Sequence, residues 1–388
     1  MTQFPLAAYL HIPFCKRRCY YCDFPISVLG DKPNNKNSPS VEEYVTVLCQ
    51  EIKLTPVPEK PLETVFFGGG TPSLLPVHQL ERILSTITQH FGISSTAEIS
   101  MEIDPATFTL PELKGYENIG INRFSLGVQA FQPELLEICG RSHSLKDIFS
   151  AIDFIHQVGI SNFSLDLISG LPNQTLEQWQ DSLEKVKQIA PNHISCYDLV
   201  IEPVTAFGRK YQPGEKPLPT DELTAQMYKM AQNMLTSSGY QHYEISNYAQ
   251  PGYQCRHNRV YWENKPYYGL GMGAASYVFS QRFTRPRTRR EYYAWVESGC
   301  KIDVPENTVN DNLLDTLMLG LRLAEGLSLS HLSQQFGEET VKEILTCLQP
   351  YFNQGWVELN NENLRLSDPD GFLFSNTVLA RLFQWFEA

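Results

Sequence analysis

The chain has 388 residues, of which 42% are apolar, with a formal net charge of −12. That length suits two or three domains, one of them large, and the composition is that of a globular protein with a full core. The acidic balance argues against a nucleic-acid partner held through its phosphates, and no uninterrupted apolar run is long enough to span a bilayer.

The first apolar run, Ala7–Ile12, reads as a strand and leads into Cys15, Cys19 and Cys22, a C-x3-C-x2-C loop. Iron–sulfur clusters usually take four thiolates, so three on one short loop leave an iron free for another ligand. Two other readings stay open. His11 would complete a Cys3His zinc set. A disulfide is the weaker alternative, because the nine cysteines are odd in number and otherwise scattered. Met1–Ala8 has neither a charged start nor a long apolar stretch, so reduced thiols in the cytoplasm are expected. Gly30–Ser40, rich in Asn, Asp, Lys, Ser and Pro, is the segment expected to lack order.

Further strands are predicted at Thr64–Phe67, Glu98–Ile103, Arg123–Leu126, Phe163–Ile168 and His193–Ile201. Helical periodicity lies between them at Val41–Leu54, Val77–Phe91, Leu145–Val158 and Leu176–Ile189, and again at Asp221–Ser237. This alternation predicts an α/β fold with a parallel sheet. Six units fit an incomplete (β/α)6 barrel, in which chemistry gathers at the carboxyl ends of the strands. Polar residues do collect there. The cysteine loop follows the first run and Gly68-Gly69-Gly70-Thr71-Pro72 the second. Glu102 and Asp104 end the third, Gly127-Val128-Gln129 the fourth, and Arg141 follows. Asp166 interrupts the fifth. The glycine run lacks the Lys-Ser/Thr ending of a phosphate loop, so its expected use is close backbone approach to a ligand.

Taken together, Phe67–Pro72, Ser125–Gln129, Asp166–Pro172, the cysteine loop and His257-Asn258-Arg259-Val260-Tyr261-Trp262 resemble the radical S-adenosylmethionine superfamily. Within it the chain resembles the oxygen-independent coproporphyrinogen III oxidase-like branch, from Tyr9 to about the C-terminus. The resemblance implies a [4Fe–4S] cluster on Cys15, Cys19 and Cys22, with S-adenosylmethionine on its unique iron. It implies an S-adenosylmethionine site formed by Tyr9, Tyr21, Gly69, Gly70, Thr71, Glu102, Gln129, Arg141 and Asp166, with Val200 and Ala275 matching more loosely. Glu102 would hold the ribose, and a 5′-deoxyadenosyl radical is the product such sites make.

The oxidase pattern continues to a fourth cysteine two residues after the third, where this chain has Phe24. That departure and the His257–Trp262 motif make the chain similar to the HemW type, regarded as haem chaperones that deliver haem to haem-requiring proteins. Porphyrinogen oxidation is the alternative. His257 becomes the haem-ligand candidate, with Cys255 as a soft alternative. Arg282, Arg285, Arg287, Arg289 and Arg290 offer forks for propionates, or form a solvated loop. A cluster-dependent homodimer is a further expectation at the family level.

The expected organisation is a partial barrel over residues 1–240, a connecting segment over 241–305 that completes the barrel mouth, and a C-terminal domain over 306–388. Helices at Asp311–Leu323, Ser330–Phe336 and Glu339–Leu348, a hairpin at Gly355–Leu359 and Asn363–Ser367, and a helix at Ser375–Phe386 predict a winged-helix-like unit. It carries twelve acidic against four basic residues, so docking or covering the core is expected of it rather than DNA binding.

Overall fold

The computed structural model describes residues 4–31 and 36–387. Part of the Gly30–Ser40 stretch lies outside the described residues, and Pro39 and Ser40 open the first helix.

Six parallel strands form the heart of the molecule: β1 (Ala7–Ile12), β2 (Leu62–Gly69), β3 (Ile93–Ile103), β4 (Arg123–Gln129), β5 (Phe163–Ser169) and β6 (His193–Asp198). The antiparallel strands β7 (Gln241–Glu244) and β8 (Asn247–Ala249) extend the sheet beyond β6. The short β9 (Tyr268–Leu270) pairs parallel to β1 at the opposite edge, giving the order β9-β1-β2-β3-β4-β5-β6-β8-β7. The predicted incomplete barrel of six parallel strands is therefore present. The sixth strand stops at Asp198, three residues before the predicted end.

The strands read as near-continuous apolar runs because helices cover one face of the sheet and the barrel interior covers the other. Helices α1 (Pro39–Leu54), α2 (Val77–His90), α3 (Leu110–Asn118), α4 (Leu145–Val158), α5 (Leu176–Ile189) and α6 (Asp221–Thr236) follow in turn. Thr109, Ser144 and Thr175 start α3, α4 and α5 with reciprocal capping boxes to Glu112, Asp147 and Gln178. The sequence reading missed α3, although Thr109-Leu110-Pro111-Glu112 is a start signal in its own right.

One buried carboxylate fastens the segment after the barrel to its first helix. Glu51 of α1 accepts hydrogen bonds from Arg285 Nε at 2.8 Å, Gly271 N at 2.7 Å and Tyr292 OH at 2.6 Å. Arg285 also stands over the rings of Phe283 and Trp295. The arginine-rich stretch is thus partly built into the fold, while Arg287 and Arg290 stay exposed. Arg282 pairs with Asp315 at 3.1 Å, Arg287 donates to Asp23 O at 2.9 Å, and Arg289 bonds Ser40.

The C-terminal unit has its own apolar cluster around Leu317, Ile344, Leu348, Leu364, Phe372 and Leu382. Helices α9 (Val309–Gly320), α10 (Leu329–Phe336), α11 (Glu338–Asn353) and α12 (Ser375–Phe386) surround a three-stranded antiparallel sheet; α7 and α8 are the intervening helices Arg256–Trp262 and Arg289–Glu297. The outer strands of that sheet are Leu327–Ser328 and Val357–Asn360, and Asn363–Leu366 lies between them. This is the helix and hairpin order expected of a winged-helix-like unit. Among the described residues no helix is long and apolar enough to cross a membrane.

Removing one partner from a buried ion pair leaves an uncompensated charge. Glu51→Ala should therefore lower the stability of the full chain by about 3–5 kcal/mol in denaturant unfolding, with Glu51→Gln costing less.

Candidate functional site

All three cysteines reach a cavity of about 490 Å³ at the carboxyl ends of the parallel strands. Phe14–Cys15 pairs with Ser27–Val28, and Gly30 N returns to Lys16 O at 3.1 Å, so the loop between is closed at its base. Arg18 donates to Cys22 O and Phe24 O at 3.1 and 3.0 Å, bracing its far end. Burial pushes the Cys15 thiol up to about 12 and raises that of Cys22. A metal centre that takes thiolates must displace those protons.

The glycine turn sets how close the second strand comes to this loop. Gly70 N donates to Ile12 O at 2.8 Å and Thr71 N to Phe14 O at 2.7 Å. A Cβ on Gly70 would stand 2.7 Å from Phe14 O, and one on Gly69, whose φ is +110°, would stand 2.5 Å from the His11 ring. Only glycine fits at both positions. Gly69 N then donates to Glu102 at 3.0 Å, and Thr71 Oγ1 approaches Cys15 Sγ at 3.7 Å.

The remaining wall is polar. A register shift between Gly127 and Gln129 ends β4, with Gln129 at φ +67°, and a bulge of this kind re-aims a side chain. Gln129 lines the cavity. Arg141 forms an ion pair with Asp104 and donates to Gly127 O at 3.0 Å and Cys19 Sγ at 3.4 Å. Its Nε is buried without a hydrogen-bond partner among the described residues. Burial would raise the Asp104 carboxyl, but Arg141 and His143 hold it below its usual range. Asp166 accepts from Ser125 Oγ at 2.9 Å. Burial, and then neighbouring Asp166, push Glu102 up to about 7 against the pull of the Gly69 amide.

Cys15, Cys19, Cys22, Tyr21, Gly69, Gly70, Thr71, Glu102, Gln129, Arg141, Asp166 and Val200 therefore share one cavity. Tyr9 lies beneath it, its hydroxyl 3.1 Å from His11 Nδ1 and its ring stacked on Phe66. Ala275 is not in the wall; it starts a short hairpin strand whose carbonyl packs on Gly269. Asp104 was missed as a site residue, although its place two residues beyond Glu102 at a strand end was a usable signal. Ser125, Tyr197 and Asp198 also line the cavity, and their residue types alone gave no reason to single them out.

His11 does not turn toward the cysteines. Its Nε2–H donates to Pro25 O at 2.9 Å while Nδ1 accepts from Tyr9, and burial lowers it to about 4. The Cys3His arrangement thus lacks its histidine.

His257 requires a correction of a different kind. It is the second residue of α7, whose first amides, Arg256 N and His257 N, donate to buried Glu98 at 3.1 Å each. Its ring stacks on Phe66, with Nδ1 2.8 Å from Thr64 Oγ1 and Nε2 2.9 Å from Tyr261 OH. Thr64 lies near the amino end of β2 and pairs with Glu98, so the motif packs into the barrel at the end opposite the cysteines. With both nitrogens engaged and 1% exposure, His257 is a core histidine here and presents no lone pair to a ligand. Cys255 is buried beside it, with Sγ 3.6 Å from Glu98.

Comparison with known proteins fits this geometry. Residues 9–186 match the model of the Radical SAM superfamily, and residues 307–374 that of the HemN C-terminal domain. A protein of Synechocystis sp. named Heme chaperone HemW is 49% identical, over 98% of this chain and 96% of its own length. The chain belongs to the HemW family. A HemW of Bacillus subtilis is 33% identical over 96% of this chain and 97% of its own. The solved structure of coproporphyrinogen III oxidase (HemN) from Escherichia coli superposes with a TM-score of 0.83 at 24% identity, covering 100% of this chain and 91% of that one. That likeness establishes the shared fold.

Membership in the superfamily implies a [4Fe–4S] cluster and S-adenosylmethionine. The residues fit both. Three cysteines on one closed loop face a single cavity, a glycine turn too tight for any side chain borders it, and an unpartnered Arg141 Nε stands in its wall.

Two outcomes follow. A carboxyl group raised on folding stabilises the native state fully below its ordinary value of 4.5, and that stability is lost as pH rises through about 7. The metal-free protein should lose thermal stability across this window, and Glu102→Gln should flatten part of the loss; Glu244, which burial also raises to about 7, contributes in the same window. His257→Ala should cost about 1–3 kcal/mol through two lost buried hydrogen bonds, while leaving the absorption spectrum of added haem unchanged.

Proposed function

We propose that this protein is a cytoplasmic haem chaperone. It binds haem, carries a [4Fe–4S] cluster with S-adenosylmethionine, and hands haem to proteins that require it. The observation that carries the reading is near-full-length similarity to proteins named Heme chaperone HemW.

Phe24 supports it. The fourth cysteine of the oxidase pattern would fall there, and Phe24 instead lines the cavity mouth with about half its surface exposed. The cavity wall is also rich in carboxylates, with Asp23, Glu102, Asp104, Asp166, Asp198 and Glu202 against Lys16, Arg17 and Arg141. Such a wall is a poor partner for a tetracarboxylic porphyrinogen.

In this proposal Cys15, Cys19 and Cys22 hold the cluster, and Arg141 steadies the loop by its contacts with Cys19 and Asp104. The Gly69–Gly70 backbone, Thr71, Glu102, Gln129 and Asp166 seat S-adenosylmethionine, with Glu102 toward the ribose. When bound, the cluster supplies an electron at the sulfonium. The protein's own part is orientation and exclusion of water, to which half-buried Tyr21 in the wall and Tyr9 stacked on buried Phe66 beneath it contribute. Association of two chains when the cluster is present remains part of the proposal.

Anaerobically reconstituted full-length protein should take up both cluster and haem. Cys19→Ser should abolish the brown cluster chromophore, and iron and sulfide analysis checks this. A reconstituted wild-type protein that takes up no haem overturns the chaperone reading. Turnover of coproporphyrinogen III under reducing conditions would favour the oxidase instead.

A further inference from the structure

A second cavity, of about 560 Å³, lies between the end of α7, the Ala275–Thr284 hairpin and the C-terminal unit. It is separate from the cluster cavity and shares no lining residue with it. One wall carries the rings of Trp262 and Tyr277, and the opposite wall Leu327 and Leu332. From α10, His331 also faces this space. Its backbone amide is bonded to Ser328 Oγ, but its imidazole makes no hydrogen bond, ion pair or ring contact with any described residue.

The wall also holds polar groups without partners. The indole Nε1 of Trp262 and Oδ1 of Asn312 are both buried and unpaired. Arg322 stacks over the Trp262 ring at 5.3 Å and is in no ion pair among the described residues. A buried indole N–H without an acceptor is uncommon in a finished fold, since Trp usually finds a partner for it. The groove therefore offers the rings of Trp262 and Tyr277, the aliphatic side chains of Leu327 and Leu332, and an imidazole with a free lone pair.

We propose that this groove takes an iron porphyrin, with His331 as its axial ligand and the Trp262 and Tyr277 rings against the macrocycle. Imidazole is a common proximal donor to haem iron. The proposal rests on the haem-chaperone reading and gives it a site that His257 does not provide. It also separates the haem from the cluster, so each can be filled without the other. Gly320 shapes the groove: a Cβ there would stand 2.2 Å from Leu327.

The test is titration of the reconstituted full-length protein with haemin, read at the Soret band. His331→Ala should shift the band and weaken binding roughly tenfold or more, with cluster content unchanged. Added imidazole should restore the wild-type band in His331→Ala. His331 is exposed, so its replacement should leave the thermal melt unaltered, and His331→Gln serves as a second variant. If wild type binds haemin and His331→Ala binds it with the same band and affinity, the site is wrong while the chaperone reading stands. Loss that imidazole does not rescue overturns the axial role of His331. Failure of the wild type to bind haemin overturns both readings.

Discussion

The close approach of the Gly69–Gly70 turn to the end of β1 is the contact on which the cluster site depends. Two backbone hydrogen bonds, from Gly70 to Ile12 and from Thr71 to Phe14, clamp the second strand against the root of the cysteine loop. Any side chain at either glycine would strike the His11 ring or the Phe14 carbonyl. With the clamp in place, Gly69 N is free to orient Glu102, and Thr71 reaches Cys15. The loop is then braced from three further directions, by Arg18 within it, Arg141 from beyond β4 and Arg287 from the following segment.

A second layer of constraint sits at the opposite end of the barrel. Glu98 sits between the amide end of α7 and the buried Arg123, and both partners offset its desolvation. The His257–Trp262 motif is thus used twice. Its first residue packs the barrel floor against Thr64, Phe66 and Tyr261, while its last, Trp262, reaches the groove beside the C-terminal unit. The histidine within it became a haem candidate only through the family resemblance, and packing gives it a structural place.

The C-terminal unit is joined to the barrel by specific contacts rather than by a tether alone. Tyr228 of α6 packs in the second apolar cluster, and Glu244 at the sheet edge bridges to Leu323. His242 bonds Asp368 at 2.9 Å from one domain to the other. These contacts hold α10, and with it His331, at a set place relative to Trp262.

Much of this was legible in the chain. Strands buried on both faces alternate with capped amphipathic helices, and that pattern determines a parallel α/β sheet whatever its surroundings. The cysteine spacing, the glycine turn and the polar residues at strand ends follow from local chemistry in the same way, as does the order of helices and hairpin at the C-terminus. Tertiary structure decided which side chains face a common space. It turned His11 and His257 inward by giving both nitrogens of each a partner, and it set Arg285 on Glu51, more than two hundred residues away in sequence. It also placed Tyr277, Trp262 and His331 around one groove. Local pattern carries propensity and periodicity, whereas a binding site depends on contacts between distant segments, and only packing brings those segments together.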